Sequence, residues 1–235
     1  MTKTNTITFP GWRSFQVLSL KDRNQFYDPL GRAKRLGISS ALWPLFGVIW
    51  PSGVLLASKV IKNKKNIQKN AQVLEIGCGL ALASIVAHSK LINVTASDYH
   101  PAVPGFLRKN LMLNKLPILP YRYGRWGAKR KNYSIYDTGA LPINRRYDLV
   151  MGSDLLYEPD SALYVAEYID HVAKNNAEVW LVDPNRGYKN KFVRELEKYQ
   201  FHLVSETHVD EEEAYELNGV TMPLRGFFMK LRRGD

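Results

Sequence analysis

The stretch Val73-Leu74-Glu75-Ile76-Gly77-Cys78-Gly79-Leu80-Ala81 constrains this chain more than any other. It is an apolar run that passes straight into a turn of small residues and then into a helical pattern, Leu80 to Ser89. Glycine adopts positive φ freely and leaves backbone N–H groups open to a ligand, so such a turn opens a βαβ unit. The alternation continues downstream. Asn93 to Ser97, Tyr147 to Gly152 and Glu178 to Val182 read as strands, and Ala102 to Lys115, Ser161 to Asn175 and Asn190 to Tyr199 as helices. Phe201 to Val209 and Arg225 to Leu231 read as two further strands joined by an acidic, turn-prone segment with no helical pattern, so they should pair antiparallel at one edge.

These elements predict an α/β fold: a Rossmann-like, doubly wound, mostly parallel seven-stranded sheet with an antiparallel C-terminal hairpin and a small N-terminal cap. At 235 residues the chain suits one large domain. Residues 1–45, where Gln16 to Leu20 is the clearest strand signal, are expected to form the cap within that domain, and 46–235 its main body. Ile38 to Ser58 carries no charge and is long enough to suggest a membrane span. Pro44, Gly47, Pro51 and Gly53 argue against one, and the stretch is expected to be a buried loop leading into a core helix. Met1 to Thr6 shows neither an export nor a transit pattern, so a cytoplasmic setting is expected.

The turn resembles a dinucleotide site, but the third glycine is missing and Glu75 precedes the first. A carboxylate there repels a pyrophosphate and favours a cation such as the ammonium and sulfonium of S-adenosylmethionine. Asp98 ends the second strand 21 residues after Gly77, where an acid is placed to accept from ribose hydroxyls. It could equally cap the helix that follows Pro101. Cys78, the single cysteine, reads as a small side chain in a tight turn, and one thiol excludes an internal disulfide or a thiolate zinc site. The five histidines show no metal-ligand spacing, so no metal is expected.

Taken with their neighbours, these residues resemble the seven-strand class I methyltransferases, and among them the lysine-methyltransferase-like branch that includes relatives of the electron-transfer flavoprotein β-subunit enzyme. The likeness spans residues 48–186 and rests on Ile49-Trp50-Pro51-Ser52-Gly53, Leu74 to Gly79, Ser97-Asp98, Arg125-Trp126-Gly127 and Ser153-Asp154-Leu155-Leu156-Tyr157. The last is similar to the branch's acidic-x-x-aromatic motif. The resemblance implies S-adenosylmethionine as cofactor and implies that Asp154 and Tyr157 border the methyl-transfer site. It also implies that Trp126 flanks the adenine, that Trp50 walls the cofactor pocket with Ser153 beside it, and that Asp183, Asn185 and Arg186 face the substrate. Ala81 and Ser84 stand where the family has glycines.

Asp154 and Tyr157 also admit plain structural readings, as a helix N-cap and a core aromatic. The expected function is a protein N-methyltransferase acting on lysine by direct displacement; RNA, DNA or small-molecule methylation and a non-catalytic cofactor-binding subunit are the alternatives. The formal net charge of +11 suggests a protein substrate with an acidic surface, with nucleic acid as the other polyanion. Lys62, Lys64, Lys65 and Lys69, and Arg122, Arg125, Lys129, Arg130 and Lys131, are the candidate docking clusters. The enzyme is expected to work as a monomer, without a membrane.

Overall fold

The structure is a computed structural model that describes residues 1–127 and 133–234. Strands β1 (Thr2–Thr8) and β2 (Ser14–Leu20) form an N-terminal hairpin, followed by the short helix α1 (Arg32–Arg35) and a 3-10 turn at Trp43–Gly47. Helix α2 (Pro51–Asn63) leads into the alternating body: β3 (Gln72–Ile76), α3 (Leu82–Ser89), β4 (Asn93–Asp98), α4 (Val103–Leu113), β5 (Tyr121–Tyr123) and α5 (Ile135–Thr138). Then come β6 (Tyr147–Ser153), α6 (Ser161–Val172), β7 (Ala173–Asp183) and α7 (Lys189–Glu197), and last the long pair β8 (Phe201–Leu217) and β9 (Val220–Arg233).

The strands form one sheet in the order β2-β1-β8-β9-β7-β6-β3-β4-β5. β5, β4, β3, β6 and β7 are parallel, whereas β9 runs antiparallel to both β7 and β8. The order reverses at β3, which opens a crevice beyond the carboxyl ends of β3 and β6. Side-chain alternation divides the core. Val73 and Val94 face one apolar layer with Leu55 of α2 and Ile85 of α3, while Leu74 and Ile76 face the other with Val165 of α6 and Phe192 of α7.

Among the described residues the sheet has nine strands where seven were expected, because the N-terminal segment joins it. Ile7 and Thr8 pair with Leu217 and Glu216 of β8. β2 would otherwise present a bare edge. Instead its backbone meets α4: the Gln16 and Leu18 N–H groups donate to Asn114 Oδ1 and Asn110 Oδ1, and Asn114 Nδ2 donates to the Gln16 carbonyl. The acidic segment around Asp210 also stays in strand, with register shifts between Leu203 and Ser205 and between Asp210 and Glu213 absorbing the mismatch. Lys59 and Lys62 pair with Glu213 and hold that strand against α2.

The helical run Trp43–Asn66 is long and apolar enough to cross a bilayer by length and composition, and it is mostly buried. Pro51 stands in its first turn, where a missing N–H costs nothing, and Val54, Leu55, Leu56 and Val60 are buried in the first layer. α6 stops at Val172, three residues before the predicted end, and β7 begins at once with Ala173 opposite Tyr147.

Candidate active site

The glycine turn is fastened to β4 by its own backbone. The Cys78 N–H donates to the Ser97 carbonyl at 3.0 Å, and the Gly79 N–H donates to Asp98 Oδ2 at 2.9 Å. Gly77, Gly79 and Ala81 all have positive φ, so the alanine keeps the left-handed backbone of the family's third glycine, at a strain of about 1–2 kcal/mol. Space matters most at Gly77. A Cβ there would lie 2.6 Å from Leu155 Cδ2 and 3.0 Å from Trp126 Cη2.

Both predicted acids are buried behind this turn. Glu75 Oε2 accepts from the Ser84 N–H at 2.7 Å, and Asp98 Oδ1 accepts from the His100 N–H at 2.9 Å. Asp98 thus braces two turns and is not the N-cap of α4, a place held by Ala102. Burial pushes the Glu75 carboxyl up to about 7, with the nearby Asp98 charge adding to the effect, and burial raises Asp98 as well. Two closely spaced carboxyls that gain from a nearby positive charge fit a cationic ligand.

Two pH-dependent effects follow, with opposite signs. Glu75 titrates near 7 when folded against an ordinary 4.5, so its contribution to stability is complete below pH 4.5 and lost as pH rises through 7. His100, buried and pulled down to about 3, contributes stability above pH 6.5 that is lost as pH falls toward 3. The melting difference between wild type and Glu75→Gln isolates the first effect. Without ligand, the variant should gain on wild type by about 3 kcal/mol between pH 4.5 and 7.5; a constant difference across that range would refute the assignment. Asp98→Ala should weaken cofactor binding and also destabilise the fold, by about 1–3 kcal/mol, since the buried His100 N–H and the half-buried Gly79 N–H lose their acceptor.

At the end of β6 the chain bends sharply. Asp154 has φ 54°, its N–H donates to the Val182 carbonyl at 2.9 Å, and its carboxylate receives both Arg186 Nε (2.6 Å) and Nη2 (3.0 Å). The N-cap position of α6 belongs to Asp160, so Asp154 does not cap that helix. Tyr157 is 40% exposed and is not a core aromatic. Partial burial raises its hydroxyl to about 12, so it stays protonated.

These groups share one cavity of about 320 Å³, a size suited to a cofactor. Trp50, Glu75, Gly77, Gly79, Asp98 and Trp126 line it, as do Ser153, Asp154, Tyr157 and Arg186. Trp50 is oriented by its indole N–H, which donates to the Leu45 carbonyl at 2.9 Å. Asp183 and Asn185 stand outside the lining. Asp183 is fully buried, and its Oδ1 accepts from the Asn185 and Arg186 N–H groups at 2.7 and 3.2 Å, so it shapes the turn that carries them. Among the described residues there is no cluster of His, Cys, Asp and Glu fit for a metal.

Sequence reasoning missed Ile7 and Val17 of the N-terminal hairpin, and Tyr99 and His100 after β4, all of which line the cavity. His100 lies flat against Phe46, with ring centroids 4.0 Å apart. Its place two residues after Asp98 was the available signal; nothing local marks Ile7 or Val17. Of the proposed basic clusters, Lys64, Lys65 and Lys69 lie between α2 and the start of β3, at the end of the sheet away from the cavity. Arg125 is committed internally, donating to the Leu36 carbonyl and the Tyr133 hydroxyl. Lys129, Arg130 and Lys131 lie outside the described residues.

Comparison with known proteins decides the family. The lysine methyltransferase family matches residues 44–205, from the 3-10 turn before α2 into β8. This chain belongs to that family. Protein N-lysine methyltransferase METTL21A of Danio rerio is 28% identical over 184 residues, covering 76% of this chain and 75% of the relative. Electron transfer flavoprotein beta subunit lysine methyltransferase of Xenopus laevis is 24% identical over 189 residues, covering 77% and 70%. The glycopeptide N-methyltransferase MtfA, solved with S-adenosyl-L-methionine, shares the fold at TM-score 0.54 and 11% identity over 76% of this chain and 94% of that one.

As a lysine methyltransferase family member the protein is an S-adenosylmethionine-dependent enzyme, and its cavity fits that cofactor. Gly77 and Gly79 line the cavity with positive φ, and Glu75 and Asp98 supply the negative charge that a sulfonium and an ammonium need. When bound, S-adenosylmethionine supplies an electrophilic methyl group on sulfur. Everything else falls to this chain: holding the ligand, excluding water and aligning an acceptor.

Proposed function

We propose that this protein methylates the Nε amine of a lysine on a folded protein, at a site where the surrounding surface is acidic. The observation that carries this reading is the placing of Asp154 and Tyr157, from the end of β6, in the same cavity as the glycine turn and the acids of β3 and β4. Asp154 is a carboxylate suited to orienting an amine, and the Tyr157 ring is suited to packing along an alkyl stem. The acceptor must be deprotonated before attack. Lysine's reference value of about 10.4 falls when its amine is desolvated beside a second positive charge. Trp126 and Trp50 are read as walls of the cofactor half of the cavity, with Asp98 as the acid facing the ribose. The names of the relatives in zebrafish and Xenopus support a lysine acceptor.

The acidic-surface element draws on the net charge of +11 and on Arg186 at the cavity. The test is incubation of the purified protein with methyl-labelled cofactor and lysate of its own source, at low and high salt. Label should be lost to protease, should map to lysine, and should fall as salt rises, because the Debye length is already about 8 Å at physiological ionic strength. Label lost to nuclease instead would establish the nucleic-acid alternative that the net charge also favours. Label on arginine or histidine would correct the acceptor and leave the enzyme class standing.

A further inference from the structure

Asp154 is the carboxylate assigned to the acceptor amine, and in this structure both its oxygens are already taken. Arg186 covers them with a two-pronged contact, Nε to Oδ1 and Nη2 to Oδ2. A guanidinium fork matched to a carboxylate leaves an incoming ammonium no equivalent place. The fold presents Arg186 on purpose-shaped backbone. Asp183 is buried at the end of β7 and accepts from the N–H of Arg186 itself, while Asn185 and Gly187 on either side have φ of 72° and 90°. Asp154 is fixed from the other side by its own left-handed backbone and its bond to Val182. The two partners differ in freedom: the Asp154 side chain is 12% exposed and that of Arg186 is 41% exposed.

We propose that Arg186 gates the acceptor site, so that a lysine amine reaches Asp154 only when Arg186 swings out to a carboxylate that the substrate carries beside that lysine. The exchange conserves the contacts: Asp154 trades a guanidinium for an amine, and Arg186 trades one carboxylate for another. A lysine with neutral or basic neighbours offers no receiver, so docking such a substrate over the released guanidinium strips its water without replacing its partner. Arg186 is thus a specificity-determining residue, and Asp183 is the positioning residue that aims it. This inference deepens the protein-lysine reading above and rests on it.

Arg186→Met, which keeps an unbranched stem without charge, and Arg186→Glu, which reverses the charge, test the gate. The same lysate, labelled with methyl-labelled cofactor, is the probe, and labelled sites are mapped by mass spectrometry. Cofactor affinity and melting temperature report that each variant is folded. Wild type should label lysines that have Asp or Glu beside them. Arg186→Met should lose that preference and label lysines without acidic neighbours; Arg186→Glu should turn toward lysines beside Arg or Lys. Unchanged site preferences in both folded variants would overturn the gate. So would a folded, cofactor-binding Arg186→Met that labels no protein, since Arg186 would then be a required support for Asp154. Absence of protein label from wild type itself is a different result, which removes the protein-acceptor reading and this inference with it.

Discussion

Replacing Asp154 by Asn should leave cofactor affinity intact and lower turnover about 100-fold or more, the scale expected when an acceptor is no longer held in line with the bond it attacks. Asn keeps the shape of the side chain and removes the charge. The Glu75, Gly77, Gly79 and Asp98 network does not use Asp154 for any hydrogen bond, so the cofactor half of the cavity should stand. The loss should therefore appear in single-turnover methyl transfer and not in calorimetric titration with S-adenosylmethionine. Stability should change little, because the Arg186 partner is exposed enough to be resolvated. A variant that turns over at the wild-type rate would remove Asp154 from the acceptor site.

Gly77→Ala should have the opposite signature, abolishing tight cofactor binding in a protein that still folds. The new Cβ meets Leu155 Cδ2 at 2.6 Å and Trp126 Cη2 at 3.0 Å, and both neighbours line the cavity. Either must move, and Leu155 is the residue after Asp154. We expect cofactor affinity to fall at least about 100-fold, which is about 2.7 kcal/mol. Left-handed backbone adds a further strain of about 1–2 kcal/mol. Gly187→Ala separates the two contributions, since φ there is 90° with nothing within 4 Å of the added Cβ. That variant should melt at a lower temperature and bind the cofactor normally. Equal cofactor affinity in wild type and Gly77→Ala would show that the ligand does not approach this turn.

Much of this site was readable in the chain before any coordinates. The order of acid, turn and acid across β3, α3 and β4 carries its chemistry locally: Glu75, Gly77 and Gly79 lie within five consecutive residues, and Asp98 ends the next strand. Ser153 to Tyr157 is equally local, a strand end followed by an acid and an aromatic. Such signals survive because the backbone geometry that makes the site is set within a few residues of the side chains that use it. What Asp98 does was less visible. Its carboxylate was expected to accept from ribose hydroxyls or to cap a helix, and in the fold it is buried and accepts from backbone N–H groups at Gly79 and His100. Burial depends on what packs above a turn, here Phe46 against His100, and no local pattern reports that.

The N-terminal hairpin shows where local reading stops. Thr2–Thr8 is a short polar strand with Asn5 and Ile7 as its buried residues, and its pairing partner β8 lies about two hundred residues away in the chain. The same holds for Asp183. The resemblance implied a substrate-facing residue, but Asp183 is fully buried at the end of a strand whose backbone pairs with Phe227 of β9.

The sequence alone determined the α/β alternation, the glycine turn with its two acids, the antiparallel ending and the acids and aromatics that line the centre of the site, because period, turn chemistry and strand-end position are properties of neighbouring residues. Only the tertiary structure decided that the first twenty residues extend the sheet and help close the cavity, that Asp183 supports a turn, and that Arg186 rests on Asp154. Each of those is a contact between segments distant in the chain, won by burial and by hydrogen bonds that no local pattern encodes.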